Sequence, residues 1–370
     1  MRKKICYVLP KYDAADHTHF AHVHDFLKEI AKQADIFLII EKTSHQADFR
    51  KLKEELGVKK IYFQGGGGFC GRARNMLGLF KAGRQGYKNF YVHYSFFSAF
   101  NASVIVKIFG GKVFYWNCGL PWKYKRFWPR DIFERLVYKM IDYLVTGTES
   151  LAREYGKRYG INPARIKIMP NWISSERFSP ELEKIGAIKK ELGILPGEKI
   201  LLFVHRLSKR KGAHLLPEIF QKIKYQSKKL LVVGDGPERK RMEENIKNIG
   251  LQEKIKLLGW MPNKDLANYY CLADVLLMPS EEEGFPRVIM EAMACGLPFA
   301  AFDVGGIKEI IPKEFYENIL PLGSTGDFSA EADRILSSSK EYYENWSKTA
   351  AEWLQQFETK AVAEKFLAMF

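Results

Sequence analysis

The 370-residue chain has no run of about 18 apolar residues, the length a helix needs to cross a bilayer. Its first apolar stretch, Ile5–Pro10, is too short for a signal peptide and suits a first buried strand. Cysteine is scarce: Cys6, Cys70, Cys118, Cys271 and Cys295 are scattered and show no metal or redox spacing, which predicts a reduced, cytosolic setting. The Gly65–Gly68 run lacks the Gly-Lys-Ser/Thr of a phosphate loop and reads as a flexible turn. Gly234-Asp-Gly236 lacks the third glycine of a dinucleotide fingerprint, since Arg239 stands there, so a dinucleotide oxidoreductase is not supported. Acidic residues are missing altogether from 71–130, where eleven Lys and Arg fall.

What is present is an ordinary globular composition with an uneven charge. Hydrophobic residues make up 46% and charged residues 27%, enough for full cores in two domains. The net charge of +15 sits in the first half: residues 1–180 hold 31 basic and 15 acidic residues, the remainder 27 and 28. Within 71–130 the cations alternate with Phe96, Phe97, Trp116, Trp122, Tyr124, Phe127 and Trp128. Two readings stay open: a basic solvated face over a core of aromatics, or a surface meeting anionic lipid headgroups. Nucleic acid is disfavoured because no recognition motif accompanies the charge.

Short apolar stretches alternate with helical ones. Ile5–Leu9, Ile36–Ile40, Lys60–Phe63, Phe90–His93, Val113–Trp116 and Tyr143–Thr146 read as buried strands, with Phe20–Gln33 and Ile132–Met140 among the helices between them. Two prolines and polar residues interrupt the pattern at Ile168–Pro180. It restarts with strands at Lys199–Val204, Leu230–Val233, Ile255–Leu258, Val275–Met278 and Phe299–Phe302, and with helices at His214–Ile223, Glu238–Ile249, Asp265–Cys271 and Arg287–Cys295. Such alternation predicts α/β domains, each a parallel sheet with helices on both faces. In open sheets of this kind, ligands bind beyond the carboxyl ends of the strands. The strand-to-helix loops of the second half are therefore where binding motifs belong.

Three constellations fall in those loops. The first runs from Glu283-Gly284-Phe285-Pro286 to Glu291 and Gly296. Pro286 suits the first turn of a helix and Gly296 its end, so Glu283 lies in the loop and Glu291 within an apolar helix, where a carboxylate needs partners. Sugar or ribose hydroxyls are suitable ones. The second is Arg206 and Lys211, between a strand end and a helix start. They are either solvated cations or, with the helix N–H groups, a diphosphate site. The third is Gly234 to Pro237, a tight turn or a ligand loop, followed by Gly259-Trp260-Met261, where Trp260 is either core or ligand contact.

These segments carry a resemblance. EEEGFPRVIMEAMACGLPFAAFDVGGIKEII, with two glutamates separated by seven residues, is similar to the signature of retaining glycosyltransferases of family 4, the glycosyl transferases group 1 with the GT-B fold. FVHRLSKRKGAHLL, LLVVGDGPERKRME, GWMPNKDLANYYCLADVLLMPS and MPNWISSERFSP resemble further segments in the same order. The resemblance is strong over 168–311 and moderate elsewhere.

It implies two facing Rossmann-like domains with an interdomain cleft. Residues 1–172, joined by a C-terminal helix at about 352–370 that crosses back, would bind the acceptor. Residues 173–351 would bind a nucleotide-diphospho-sugar donor. It assigns the diphosphate to Arg206 and Lys211, and the transferred sugar to Glu283 with the N–H groups of Gly284 and Phe285, beside Pro286. The ribose goes to Glu291 and the base to the backbone near Trp260 and Met261, with Gly234 also on the donor side. The implied chemistry is front-face attack by an acceptor hydroxyl, the departing phosphate taking the proton, with no metal and no cofactor. The sequence departs from the family pattern in three places. His205 stands where a glycine is usual, Asp13-Ala-Ala-Asp16 where a glycine-rich turn is common, and Asn117 where many members carry a His.

The acceptor-side candidates are His19, His93 and Asn117. His93 reads equally as an acceptor contact or a core histidine. His17, His19, His22 and His24 hold half of all the histidines; a metal site, cleft contacts, or packing and surface all remain open for them. The expected partners are a nucleotide-diphospho-sugar, a glycan or lipid-linked acceptor and an anionic membrane, without nucleic acid. The expected place is the cytoplasm, peripheral on the inner face of the membrane. Two other functions fit the same fold: a nucleotide-sugar 2-epimerase and a non-catalytic nucleotide-sugar-binding protein.

Overall fold

The computed structural model describes residues 2–12, 21–43, 48–124 and 127–370, which fall into two compact units. The first comprises Met1–Trp172 with Thr359–Phe370, the second Ile173–Glu358.

In the first unit the chain runs β1 (Lys3–Leu9), α1 (Ala21–Ala31), β2 (Ala34–Ile40), α2 (Phe49–Leu56), β3 (Lys60–Phe63), α3 (Gly68–Arg84), β4 (Asn89–His93), α4 (Phe96–Phe109), β5 (Lys112–Trp116), α5 (Trp128–Met140), β6 (Tyr143–Thr146), α6 (Glu149–Tyr159) and β7 (Ile166–Ile168). All seven strands are parallel, in the order β3-β2-β1-β4-β5-β6-β7. Continuous apolar runs such as IFLII in β2 fit strands covered on both faces. Every strand expected here forms. The addition is β7, whose three residues stand where the linker was expected to begin. At an edge, Ile166 and Ile168 are only partly covered, so no buried run announces them.

The second unit contains α7 (Leu182–Glu191), β8 (Lys199–Val204), α8 (Leu216–Lys222), β9 (Lys228–Val233), α9 (Arg239–Asn248), β10 (Ile255–Gly259), α10 (Asn263–Leu272), β11 (Val275–Met278), α11 (Arg287–Ala294), β12 (Phe299–Phe302), α12 (Ile307–Ile310), β13 (Ile319–Leu320), α13 (Thr325–Leu336) and α14 (Lys340–Leu354). Its six strands are parallel in the order β10-β9-β8-β11-β12-β13. In both sheets the order reverses beside the first strand, between β1 and β4 and between β8 and β11. A reversal of this kind opens a crevice at the carboxyl ends of the strands.

The chain passes between the units twice. At the second passage Ile173 N–H donates to Phe357 O at 2.9 Å, beside a parallel bridge from Ile173 to Glu358. The returning helix is α15 (Thr359–Ala368), shorter than the stretch expected from about 352. Aromatic packing explains the boundary. Trp346 stacks on Phe315 and Phe357 packs near Phe285 in the second core, whereas Phe366 packs on Phe26 and Tyr91 in the first.

Candidate active site

The loops leaving β8 and β11 meet at the switch point of the second sheet. The β8 loop carries His205, Arg206 and Lys211; the β11 loop carries Ser280 and Glu283. Lys211 lies in a single 3-10 turn, Lys209–Lys211, held by Gly212 in the left-handed conformation (φ 68°). A Cβ at Gly212 would lie 1.8 Å from Pro279 O, so only glycine lets the two loops touch. The helix expected from His214 begins at Leu216, after a second 3-10 turn at Ala213–Leu215. Lys211 therefore stands away from the helix start, and its charge is set by its side-chain neighbours instead.

Those neighbours are on the β11 loop. Lys211 Nζ donates to Glu283 Oε1 at 2.6 Å and to Glu282 O at 3.3 Å, and both partners of the ion pair are buried. His205 Nε2 lies 3.4 Å from the same Oε1. His205 Nδ1 accepts the Arg206 N–H at 2.8 Å, so the neutral ring carries its proton on Nε2, the nitrogen that faces Glu283. Burial by itself would raise the Glu283 carboxyl, but the Lys211 charge and the His205 hydrogen bond outweigh it and hold the group at about 2. Burial pulls Lys211 below its ordinary value, and the Glu283 charge opposes that. Arg206, by contrast, is exposed and open to an anion. Ser280 Oγ, fully buried on the β11 loop, has no hydrogen-bond partner among the described residues.

Glu291 is buried in α11, as its apolar surroundings predicted, and the protein supplies its partners. Tyr270 on α10 donates its hydroxyl to Glu291 Oε2 at 2.8 Å, and Arg287 Nε lies 3.8 Å from Oε1. Burial, then the Glu291 charge, raises Tyr270 well above its ordinary value, which keeps it a donor. Arg287, four residues before Glu291, was legible from helical spacing. Tyr270, 21 residues away on another helix, was not. Pro286 is the N-cap of α11, and Gly296 follows its end at φ 65°, packed against Ser347 of α14.

Gly234 has φ 133°, and a Cβ there would lie 1.9 Å from His205 O. The tight-turn reading thus accounts for this glycine by itself, since β9's loop must pass against the β8 loop. Trp260 is 56% exposed, which removes the core-packing reading, while Met261 packs partly into the second core.

In the first unit, β4 and β5 end side by side. His93 is paired in register with Trp116, is buried, and lies against its ring at 4.2 Å. The next residue, Tyr94, has φ 56°, the only positive value outside glycine among the described residues. The Asn117 amide is used internally: Nδ2 donates to Tyr138 OH at 3.2 Å, and Oδ1 accepts the Gly119 N–H at 2.9 Å. Asp13–Asp16, His17 and His19 lie outside the described residues. Of the other two histidines of that group, His24 Nδ1 bonds the Tyr12 hydroxyl at 2.7 Å and His22 lies against Trp172. Among the described residues, no group of three or more His, Cys, Asp or Glu could hold a metal, and no helix is long and apolar enough to cross a membrane.

Two parallel sheets with helices, one in each unit, define an α/β protein of two domains. Over residues 184–353 the chain matches the model of the family Glycosyl transferases group 1, and the resemblance read from the sequence holds there. It is 32% identical over 185 residues to N-acetyl-alpha-D-glucosaminyl L-malate synthase of Bacillus anthracis, covering 50% of this chain and 48% of that one. It is 27% identical over 252 residues to D-inositol 3-phosphate glycosyltransferase of Kribbella flavida, covering 65% and 59%. The chain spans about half the length of the curated relatives it matches. The whole fold is similar to HepE of Anabaena in complex with UDP and glucose (TM-score 0.79, 16% identity, 100% and 99% covered). It is equally similar to sucrose-phosphate synthase of Thermosynechococcus elongatus (TM-score 0.78, 22% identity, 100% and 98% covered). The expected GT-B fold class is borne out.

Proposed function

We propose that the chain is a retaining glycosyltransferase that moves a sugar from a nucleotide-diphospho-sugar to an acceptor hydroxyl. The observation that carries this reading is the buried Lys211–Glu283 pair beside exposed Arg206 at the β8/β11 switch point. The family match over 184–353 and the fold shared with a UDP- and glucose-bound protein support it.

In this reading Arg206 and Lys211 bind the donor diphosphate and offset the charge that grows as the nucleotide leaves. A buried cation already held in place, as Lys211 is by Glu283, does this without reorganising. Glu283 is a carboxylate across the neutral range and accepts hydrogen bonds from the transferred sugar. Glu291, oriented by Tyr270, accepts from the ribose hydroxyls. The exposed Trp260 loop meets the base. The acceptor is a glycan or a lipid-linked hydroxyl bound by the first unit, which is peripheral to the cytoplasmic face of a membrane.

The test begins with a thermal-shift screen of UDP-, GDP- and ADP-sugars, since a ligand that binds only the folded state raises the Tm. The stabilising donor is then incubated with acceptor pools, and the anomeric proton of the product is read by NMR. Transfer with retention is expected. Sugar altered without acceptor would instead identify an epimerase. Binding without hydrolysis or transfer would identify a silent binding protein.

A further inference from the structure

Three helices of the first unit, α3, α4 and α5, follow β3, β4 and β5, so all three begin at the carboxyl edge of the sheet, and α4 packs against both of its neighbours. At that edge large apolar side chains stand in solvent. Phe69 in the first turn of α3 is 88% exposed, Phe127 at the cap of α5 is 73% and Trp128 at its start is 69%. The exposure continues along both helices. Leu77 and Phe80 share the outer face of α3 with Phe69, at spacings of eight and eleven residues. Ile132 and Leu136 follow Trp128 at four and eight.

Cations fill the gap between the two apolar ends. The Arg72 guanidinium lies 3.6 Å from the centre of the Phe97 ring, and the Arg130 guanidinium 5.2 Å from that of Phe96. The half-buried Phe96 and Phe97 contact each other and Phe133 of α5, so ring contacts link α4 to α5 beneath the exposed ends. No carboxylate occurs anywhere in 71–130. The nearest acids are already engaged: Asp131 pairs with Arg135, Glu134 is buried and accepts from Tyr138, and Glu41, at the end of β2, accepts from Ser98 of α4 at 2.6 Å. Trp122 does not join the surface, since it packs on Tyr155 in the first core. Lys125 and Arg126 lie outside the described residues.

We infer that this α3–α5 surface docks onto an anionic lipid bilayer. Exposed aromatic rings on neighbouring helices of one sheet edge cost free energy in water, and they gain it at the headgroup boundary, where Trp and Phe partition well. A patch with an excess of cations repels itself and is relieved by a negative surface. A bilayer interface satisfies both demands at once. A nucleic acid backbone would answer the cations and leave Phe69, Leu77, Trp128 and Ile132 in water. The patch lies at the sheet edge where β4 and β5 end, the edge that carries His93 and Asn117. The inference thus deepens the acceptor-side reading above by naming the surface that would bring a lipid-linked acceptor to it.

The full chain is floated with vesicles of phosphatidylcholine alone and of phosphatidylcholine with about one-third phosphatidylglycerol, without donor. Binding to the second and not the first is expected, and it weakens as salt is raised. The double substitution R72Q/R130Q should reduce binding roughly tenfold or more, given about fivefold per cation near the surface. The substitution F127S/W128S should reduce it as strongly at low salt, which a purely electrostatic contact would not show. The Tm, and its rise with the donor that the thermal-shift screen identifies, should be unchanged in each variant. If the chain ignores anionic vesicles at low salt, or binds them undiminished in both variants, the inference fails. Binding to a mixed-sequence oligonucleotide with vesicles ignored would overturn it in favour of nucleic acid. Because flotation needs neither donor nor turnover, its failure is distinct from failure of the glycosyltransferase reading.

Discussion

Lys211 and Glu283 stand 72 residues apart in sequence and 2.6 Å apart in the fold, where each is the other's principal partner. The resemblance gave them separate duties, one to phosphate and one to sugar. Their pairing means that neither can be removed without stranding the other in a buried site.

Lys211→Ala and Glu283→Gln are each expected to lower stability by about 3–5 kcal/mol, because an unpaired buried charge remains. The double variant Lys211→Ala/Glu283→Gln should lose less than the sum of the two single losses. Urea unfolding of the three variants checks this. Additive losses would show that the pair is not coupled.

Arg206→Ala should behave differently, since Arg206 is exposed and the Lys211–Glu283 contact does not depend on its side chain. The Tm should stay within about a degree or two, as for most surface changes. Donor affinity should fall roughly 10- to 100-fold, the worth of one charge-assisted hydrogen bond. Calorimetric titration with the donor found by thermal shift measures the second quantity.

Tyr270→Phe removes the hydroxyl that orients Glu291. Nucleotide diphosphate should bind about fivefold more weakly, from the loss of about 1 kcal/mol. Glu291→Gln should weaken it further, and Glu283→Gln should weaken it less than Glu291→Gln does while turnover collapses. Equal losses of nucleotide affinity in the two glutamate variants would contradict the division of roles.

The pH dependence follows from Glu283, whose carboxyl is held at about 2 against an ordinary 4.5. A depressed folded value contributes stability that is full above the ordinary value and is lost as pH falls toward the folded one. The stability difference between wild type and Glu283→Gln should therefore be flat from about pH 7 to 5 and shrink below about 4.5. Urea midpoints across that range test it. The acid limb of turnover should arise from some group other than Glu283.

Gly305→Ala should damage the site from behind. Gly305 has φ 60°, and a Cβ there would lie 2.2 Å from Glu283 O, which is backbone and cannot swing aside. A cost of about 2–4 kcal/mol is expected from strain and overpacking together. Turnover should fall more than donor affinity, because the displaced residue is the one assigned to the sugar. Unchanged kinetics in a folded Gly305→Ala protein would disprove the close approach.

The two sheets and the loops that hold the site were legible from the residues alone. Apolar runs such as KILLFV in β8 and VLLM in β11, alternating with longer helical stretches, read as strands buried on both faces, and Pro286 and Gly296 bracket a helix that leaves Glu283 in a loop and takes in Glu291. Short edge strands escaped, because β7 and β13 bury too little to leave a pattern. Which residues touch was visible only in the folded chain. Lys211 with Glu283, Tyr270 with Glu291 and Arg72 over Phe97 each join residues from different elements, and periodicity reports only which face of its own element a residue occupies. The same limit governed the aromatics between 116 and 130. Trp116 and Trp122 went into the core, while Phe127 and Trp128 stayed in water, since burial depends on whether a neighbouring helix arrives to cover them.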